Sequence, residues 1–150
     1  MTTNVYAAKK VLVDLLKANT DTGEPLEGVD VAYSWQALTT NNRCVYGSWV
    51  SFDQESVVAE GPGQLMREDA TVNLYVRAVD NPPTDVETTD AAVNDIVAGI
   101  GAVLKANPQV GAGYSWTAIR SGNGDYSETD TETTSVMVLR ITLTTRLSYG

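Results

Sequence analysis

Residues 71–79 alternate with period two: Val72, Leu74, Val76 and Ala78 are apolar, while Thr71, Asn73, Tyr75 and Arg77 between them are mostly polar. That pattern predicts a strand with one buried face. Asp80-Asn81-Pro82-Pro83 stops it, because proline fixes φ and has no N–H for a ladder. The period then changes. Val86, Val93, Ile96, Val97, Ile100, Val103 and Leu104 fall on one helical stripe that ends at Asn107-Pro108. Thr84 and Glu87 have capping-box spacing at its start, so the helix is predicted over residues 84–106. Gly99 and Gly101 flank the stripe, at a cost of about 1 kcal/mol each relative to alanine. Either the helix sits close to the sheet there, or another backbone approaches its side.

The rest of the chain covers this strand–helix pair. Val5, Ala8, Leu12, Leu15 and Leu16 make a second amphipathic helix over residues 3–18, with Lys10, Asp14 and Lys17 opposite. A turn-rich stretch, 19–28, leads to a short strand at 29–35 carrying Val29, Val31, Tyr33 and Trp35 on one face. After a polar loop at 36–42, a strand at 43–52 places Val45 and Trp49 on one side and Tyr46, Val50 and Phe52 on the other. A further short strand at 55–60 meets the Gly61-Pro62-Gly63 turn, and residues 64–68 feed the central strand. Beyond a flexible Gly111-Ala112-Gly113, a strand is predicted at 114–120 and a mobile acidic loop at 121–134. The closing strand, 135–148, alternates Met137, Leu139, Ile141 and Leu143 against Val138, Arg140, Thr142 and Thr144. Val136 and Val138 make its first half apolar on both faces and place that end in the interior.

The expected fold is a single α+β domain over residues 1–150. A twisted, mainly antiparallel mixed sheet carries two amphipathic helices, and Leu74, Val76, Ile96, Ile100, Leu139 and Ile141 stand at its centre. Substance enough for such a core exists: 150 residues, 43% of them apolar. A net charge of −9 argues against a broad nucleic-acid-binding face, which needs clustered Lys and Arg. One cysteine, Cys44, forms no internal disulfide and fits a reducing compartment. No run reaches the length of a membrane helix, and no signal-peptide pattern opens the chain.

Candidate chemistry is sparse. With no histidine, Ser–His and Cys–His nucleophile pairs and histidine metal sites are all excluded. The glycine triplets at Gly61, Gly111 and Gly122 lack a third glycine and open no helix, so they read as turns. Asp85/Glu87 reads as a helix cap and Asp130/Glu132 as a solvated loop rather than a cation site. No catalytic, cofactor-binding or metal residue is nominated, and a non-enzymatic, structural role is expected. Tyr46, Trp49 and Phe52 cannot all face one core from one strand, so one side meets another subunit or a covering loop, and the three are the candidate subunit interface.

The order of parts also resembles a known family. The Gly28-Val29-Asp30-Val31-Ala32-Tyr33-Ser34-Trp35 strand is followed by Arg43-Cys44-Val45-Tyr46 and the Gly61 turn. Then come Arg67-Glu68-Asp69, a helix closing on Leu104-Lys105-Ala106-Asn107-Pro108, and a last strand finishing at Arg146-Leu147. Over nearly its whole length this is similar to the tail terminator proteins of long, non-contractile-tailed bacteriophages, particularly those of actinobacterial hosts. Tyr33-Ser34-Trp35 stands where that family leads one to expect a Tyr-Gly-Trp-like run. The resemblance implies a subunit that closes into a ring, commonly a hexamer, in the neck of the virion after assembly in the host cytoplasm. Its partners would be itself, the tail tube protein and the head–tail connector protein. DNA would pass through the hole without specific binding, and neither cofactor nor membrane would be involved. Under that resemblance Asp125, Glu128, Asp130 and Glu132 become a channel-facing or tube-facing loop, the alternative being a solvated hairpin on the outer rim of the ring. The alternatives are another head–tail connector component, a tail-tube subunit or, last, a bacterial enzyme of similar architecture.

Overall fold

A computed structural model describes residues 5–38, 42–58, 64–110, 114 and 116–149. Helix α1 (Val5–Lys17) is followed by strand β1 (Asp30–Ala32), a 3-10 turn at Trp35–Ala37, and strands β2 (Arg43–Val58) and β3 (Gln64–Asp80). Helix α2 (Val86–Ala106) leads to β4 (Trp116–Glu128) and β5 (Thr133–Tyr149). The strands form one mixed sheet in the order β1-β2-β3-β5-β4, antiparallel except for the β1–β2 pair. Two helices on such a sheet make an α+β fold, as the periodicities predict.

Both helices lie on the same face. α1 packs on β1, β2 and β3, and α2 on β3, β4 and β5. Under them, cross-strand pairs stack in register: Val72 with Ile141, Leu74 with Leu139, Ala70 with Leu143. All six residues predicted for the centre, including Ile96 and Ile100 from α2, are buried, and they belong to one hydrophobic cluster with Leu12 and Leu16 of α1. Fully buried in the same layer is Glu68, whose carboxylate accepts a hydrogen bond from Gln54 Nε2 at 2.7 Å. Burial, and then the Glu68 charge, pushes the nearby Tyr114 hydroxyl above its ordinary pKa.

Several expectations change in detail. The strands predicted at 43–52 and 55–60 are continuous through Val58, with residues 59–60 outside the described residues, and 64–68 and 71–79 are one strand. β1 stops at Ala32, because Tyr33 turns out to lay its ring against the Lys9 amine (4.1 Å to the centroid) and Trp35 begins the 3-10 turn. The acidic loop is largely strand: β4 continues through Glu128, its backbone paired with β5, and only residues 129–132 turn. Propensity alone hides this, since glycine, serine and acidic residues disfavour strands, but β5 supplies the ladder they lack. The first half of β5 lies inside the sheet between β3 and β4, as expected, yet Val136 and Val138 are only half-buried. Residues 39–41, the Gly61-Pro62-Gly63 turn and Gly111-Ala112-Gly113 lie outside the described residues.

The cap of α2 also differs. Asp85, not Thr84, is the N-cap: its carboxylate accepts from the Thr88 N–H at 2.8 Å and is held below the usual carboxylate range by Thr88. Thr84 instead donates to Asp80 Oδ2 at 2.6 Å, and Arg43 Nη2 meets Asp80 Oδ1 at 2.8 Å. One carboxylate therefore ties the end of β3 to the start of β2 and the approach to α2. Of the two helix glycines, Gly99 admits the connection after α1: a Cβ there would stand 2.5 Å from the Pro25 carbonyl oxygen and 2.8 Å from Leu26. Gly101 has no neighbour that requires it.

Candidate assembly surface

The second face of the sheet carries no helix among the described residues. Along β3 it presents Asp69, Thr71, Asn73, Tyr75 and Arg77, the polar half of the alternation that builds the core. Tyr75 stands opposite Tyr46 in register, and the two rings stack 5.2 Å apart and nearly parallel, at 5°. Trp35 meets Tyr46 edge-on at 5.3 Å, and the Arg77 guanidinium lies 5.1 Å from the Trp35 ring centre. Burial pushes the Tyr46 hydroxyl above its ordinary pKa, with the neighbouring Tyr75 adding to it. Tyr46, Tyr75 and Arg77 are half-buried, while Trp35 stays exposed.

The proposed interface trio does not form one patch. A bulge between Gly47 and Val50 sets Ser48 and Trp49 opposite the single residue Asn73, whose Nδ2 donates to the Trp49 carbonyl at 2.9 Å. The bulge shifts the phase of the strand. Val50 pairs with Val72 and Phe52 with Ala70, both helix-side residues, whereas Tyr46 before the bulge belongs to the helix-free face. Tyr46 is thereby absorbed into the aromatic cluster. Trp49 and Phe52 stay 54% and 46% exposed. Among the described residues β1 pairs with β2 at Cys44, Val45 and Tyr46, and no strand is seen beside β2 at Trp49 and Phe52 on its outer side.

The four acidic candidates lie at the far corner of the sheet. Asp125 pairs with Val136 on the helix-free side, and Glu128 pairs with Thr133 on the helix side. Asp130 and Glu132 belong to the turn, which Thr129 closes: its N–H donates to the Glu132 carbonyl at 2.9 Å, and its hydroxyl accepts from the Glu132 N–H at 3.1 Å. All but Glu132 are exposed. They are neighbours along a hairpin but share no single face.

Periodicity passed over Tyr75, Arg77 and Trp35 as site residues. The signal was present in Tyr75, an aromatic at a polar position directly across from Tyr46. Cys44 is fully buried, and desolvation raises its thiol to about 11, so it is inert as a nucleophile at neutral pH. Among the described residues no three metal-ligating side chains cluster, and no helix is long and apolar enough to cross a membrane. No family model matches the chain, and no curated protein matches it.

Proposed function

We propose that this chain is a structural subunit of a long-tailed phage virion, a tail terminator that closes into a ring, caps the tail tube and joins it to the head connector. The reading grows from the resemblance in the order of elements. The observation that supports it is the pair of exposed large aromatics, Trp49 and Phe52, on the part of β2 that has no neighbouring strand on its outer side among the described residues. Aromatics are enriched at the centres of subunit interfaces, so this part of β2 is a suitable contact for a neighbouring chain.

In a ring of this kind the carboxylates of Asp125, Glu128, Asp130 and Glu132 have two uses. At the channel mouth they repel the phosphates of passing DNA over about 8–10 Å. On the tube-facing side they meet the tail tube protein. Electron microscopy of the purified protein tests the ring directly: closed rings are expected, while open-ended tubes would identify a tube subunit and monomers would overturn the reading. Neutralising the four acids then separates the two uses. A channel role gives normal tails with slowed DNA transit, and a docking role gives uncapped tubes.

A further inference from the structure

The helix-free face holds a second feature, a polar cavity of about 300 Å³ lined by Asp53, Asp69, Thr71, Arg120, Ser121, Arg140 and Thr142. Its charges are segregated by the sheet register. Asp53 and Asp69 pair across β2 and β3 at one end. At the other end Arg140 of β5 pairs with Ser121 of β4, and Arg120 occupies the adjoining bulge. Thr71 and Thr142, themselves a cross-strand pair, form the floor between the two ends. Arg140 is held in place by donating to Ser121 Oγ at 3.1 Å, and Asp69 by accepting from Thr144 Oγ1 at 2.6 Å and from Arg67. Asp53 and Arg120 are exposed and make no ion pair among the described residues.

From this arrangement we infer that the helix-free face is a self-complementary docking surface whose occupant is a second copy of this chain. A two-fold axis lying between two such faces, crossing the threonine floor at right angles to the carboxylate–guanidinium line, sets the acidic end of each copy over the basic end of the other. Both ends are satisfied by one operation, as an isologous contact requires. Charge balance points the same way. This face sets Asp30, Asp53, Glu55, Asp69 and Asp125 against Arg67, Arg77, Arg120 and Arg140, a near balance in a chain whose net charge is −9. Two copies that meet here bring opposite charges together at short range. The contact uses the face of the sheet rather than the outer edge of β2, and it pairs two copies of this chain.

Sedimentation velocity with charge-swapped variants tests it. Asp53→Arg alone and Arg120→Asp alone place like charges opposite each other, so each should halve the sedimenting mass or weaken the pairing about tenfold or more. The double variant Asp53→Arg/Arg120→Asp restores opposite charges across the axis and should recover the wild-type mass. Asp53→Asn and Arg120→Gln, which remove charge without reversing it, should give smaller losses in the same order. Circular dichroism should show all of them folded, since both side chains are exposed. Single variants with unchanged mass, or a double variant that stays at half mass, would overturn the inference.

Discussion

The two faces of the sheet are built from the same strands and obey different rules. On the helix side, Val72, Leu74 and Val76 face Ile141, Leu139 and Met137, and α1 and α2 close over them. Removal of apolar area from water fixes the register there, because a slip of one residue would expose the whole row. On the other side the same pleat presents threonines, arginines and two stacked tyrosines, and specific pairwise contacts take the place of a covering layer. One face specifies the fold; the other carries no helix among the described residues.

Mutations that compare the two faces should show a graded cost. Ile100→Ala leaves a cavity under α2 and should destabilise by about 2–5 kcal/mol in chemical denaturation. An unchanged midpoint would remove Ile100 from the core. On the helix-free side, Asn73→Ala strips the hydrogen bond that fastens the β2 bulge, at a cost of about 1–3 kcal/mol. Its loss should also speed hydrogen exchange around Trp49 ahead of the helices. Uniform exchange would show that the bulge needs no fastening.

Asp80 tests the junction of the two faces. Its carboxyl is held below the ordinary value of 3.8, first by the Thr84 hydroxyl and then by Arg43. The folded carboxyl thus binds its proton less readily than the unfolded one. Its contribution is present above the unfolded value and is lost as pH falls through the lower, folded value. Asp80→Asn should cost about 1 kcal/mol at pH 7 and converge with wild type in acid; a gap that persists at pH 2 would assign the effect to packing. Smallest of all, neutralising Asp125, Glu128, Asp130 and Glu132 together should change stability by no more than about 0.5 kcal/mol per site. A larger loss would mean that the hairpin is part of the folding unit rather than a surface arm.

How much was legible in the sequence follows the same division. Burial imposes a period, so Val72 to Ala78 and Val93 to Leu104 read directly as elements and as core. Where no burial imposes one, the reading slipped. The bulge at Ser48–Trp49 reversed the parity assigned to Phe52, and no local residue type announces it. Asp125 and Glu128 sit in a strand that exists because β5 lies beside it. Asp85 took the cap because the Thr84 hydroxyl had a stronger acceptor in Asp80, a contact set by tertiary approach. The aromatic residues divided likewise: Trp49 and Phe52 were proposed because aromatics stood on both sides of one strand, whereas the pairing of Tyr46 with Tyr75 required the register.

Assembly through the outer side of β2 at Trp49 and Phe52 is the central claim, and the solution mass of Trp49→Glu beside wild type tests it most directly. A buried charge at a subunit contact is not tolerated, while the same charge on an exposed bulge leaves the fold intact. Wild type should sediment as a closed oligomer and Trp49→Glu as a folded unit of far lower mass with an unchanged thermal midpoint. Equal masses for the two proteins would contradict the account.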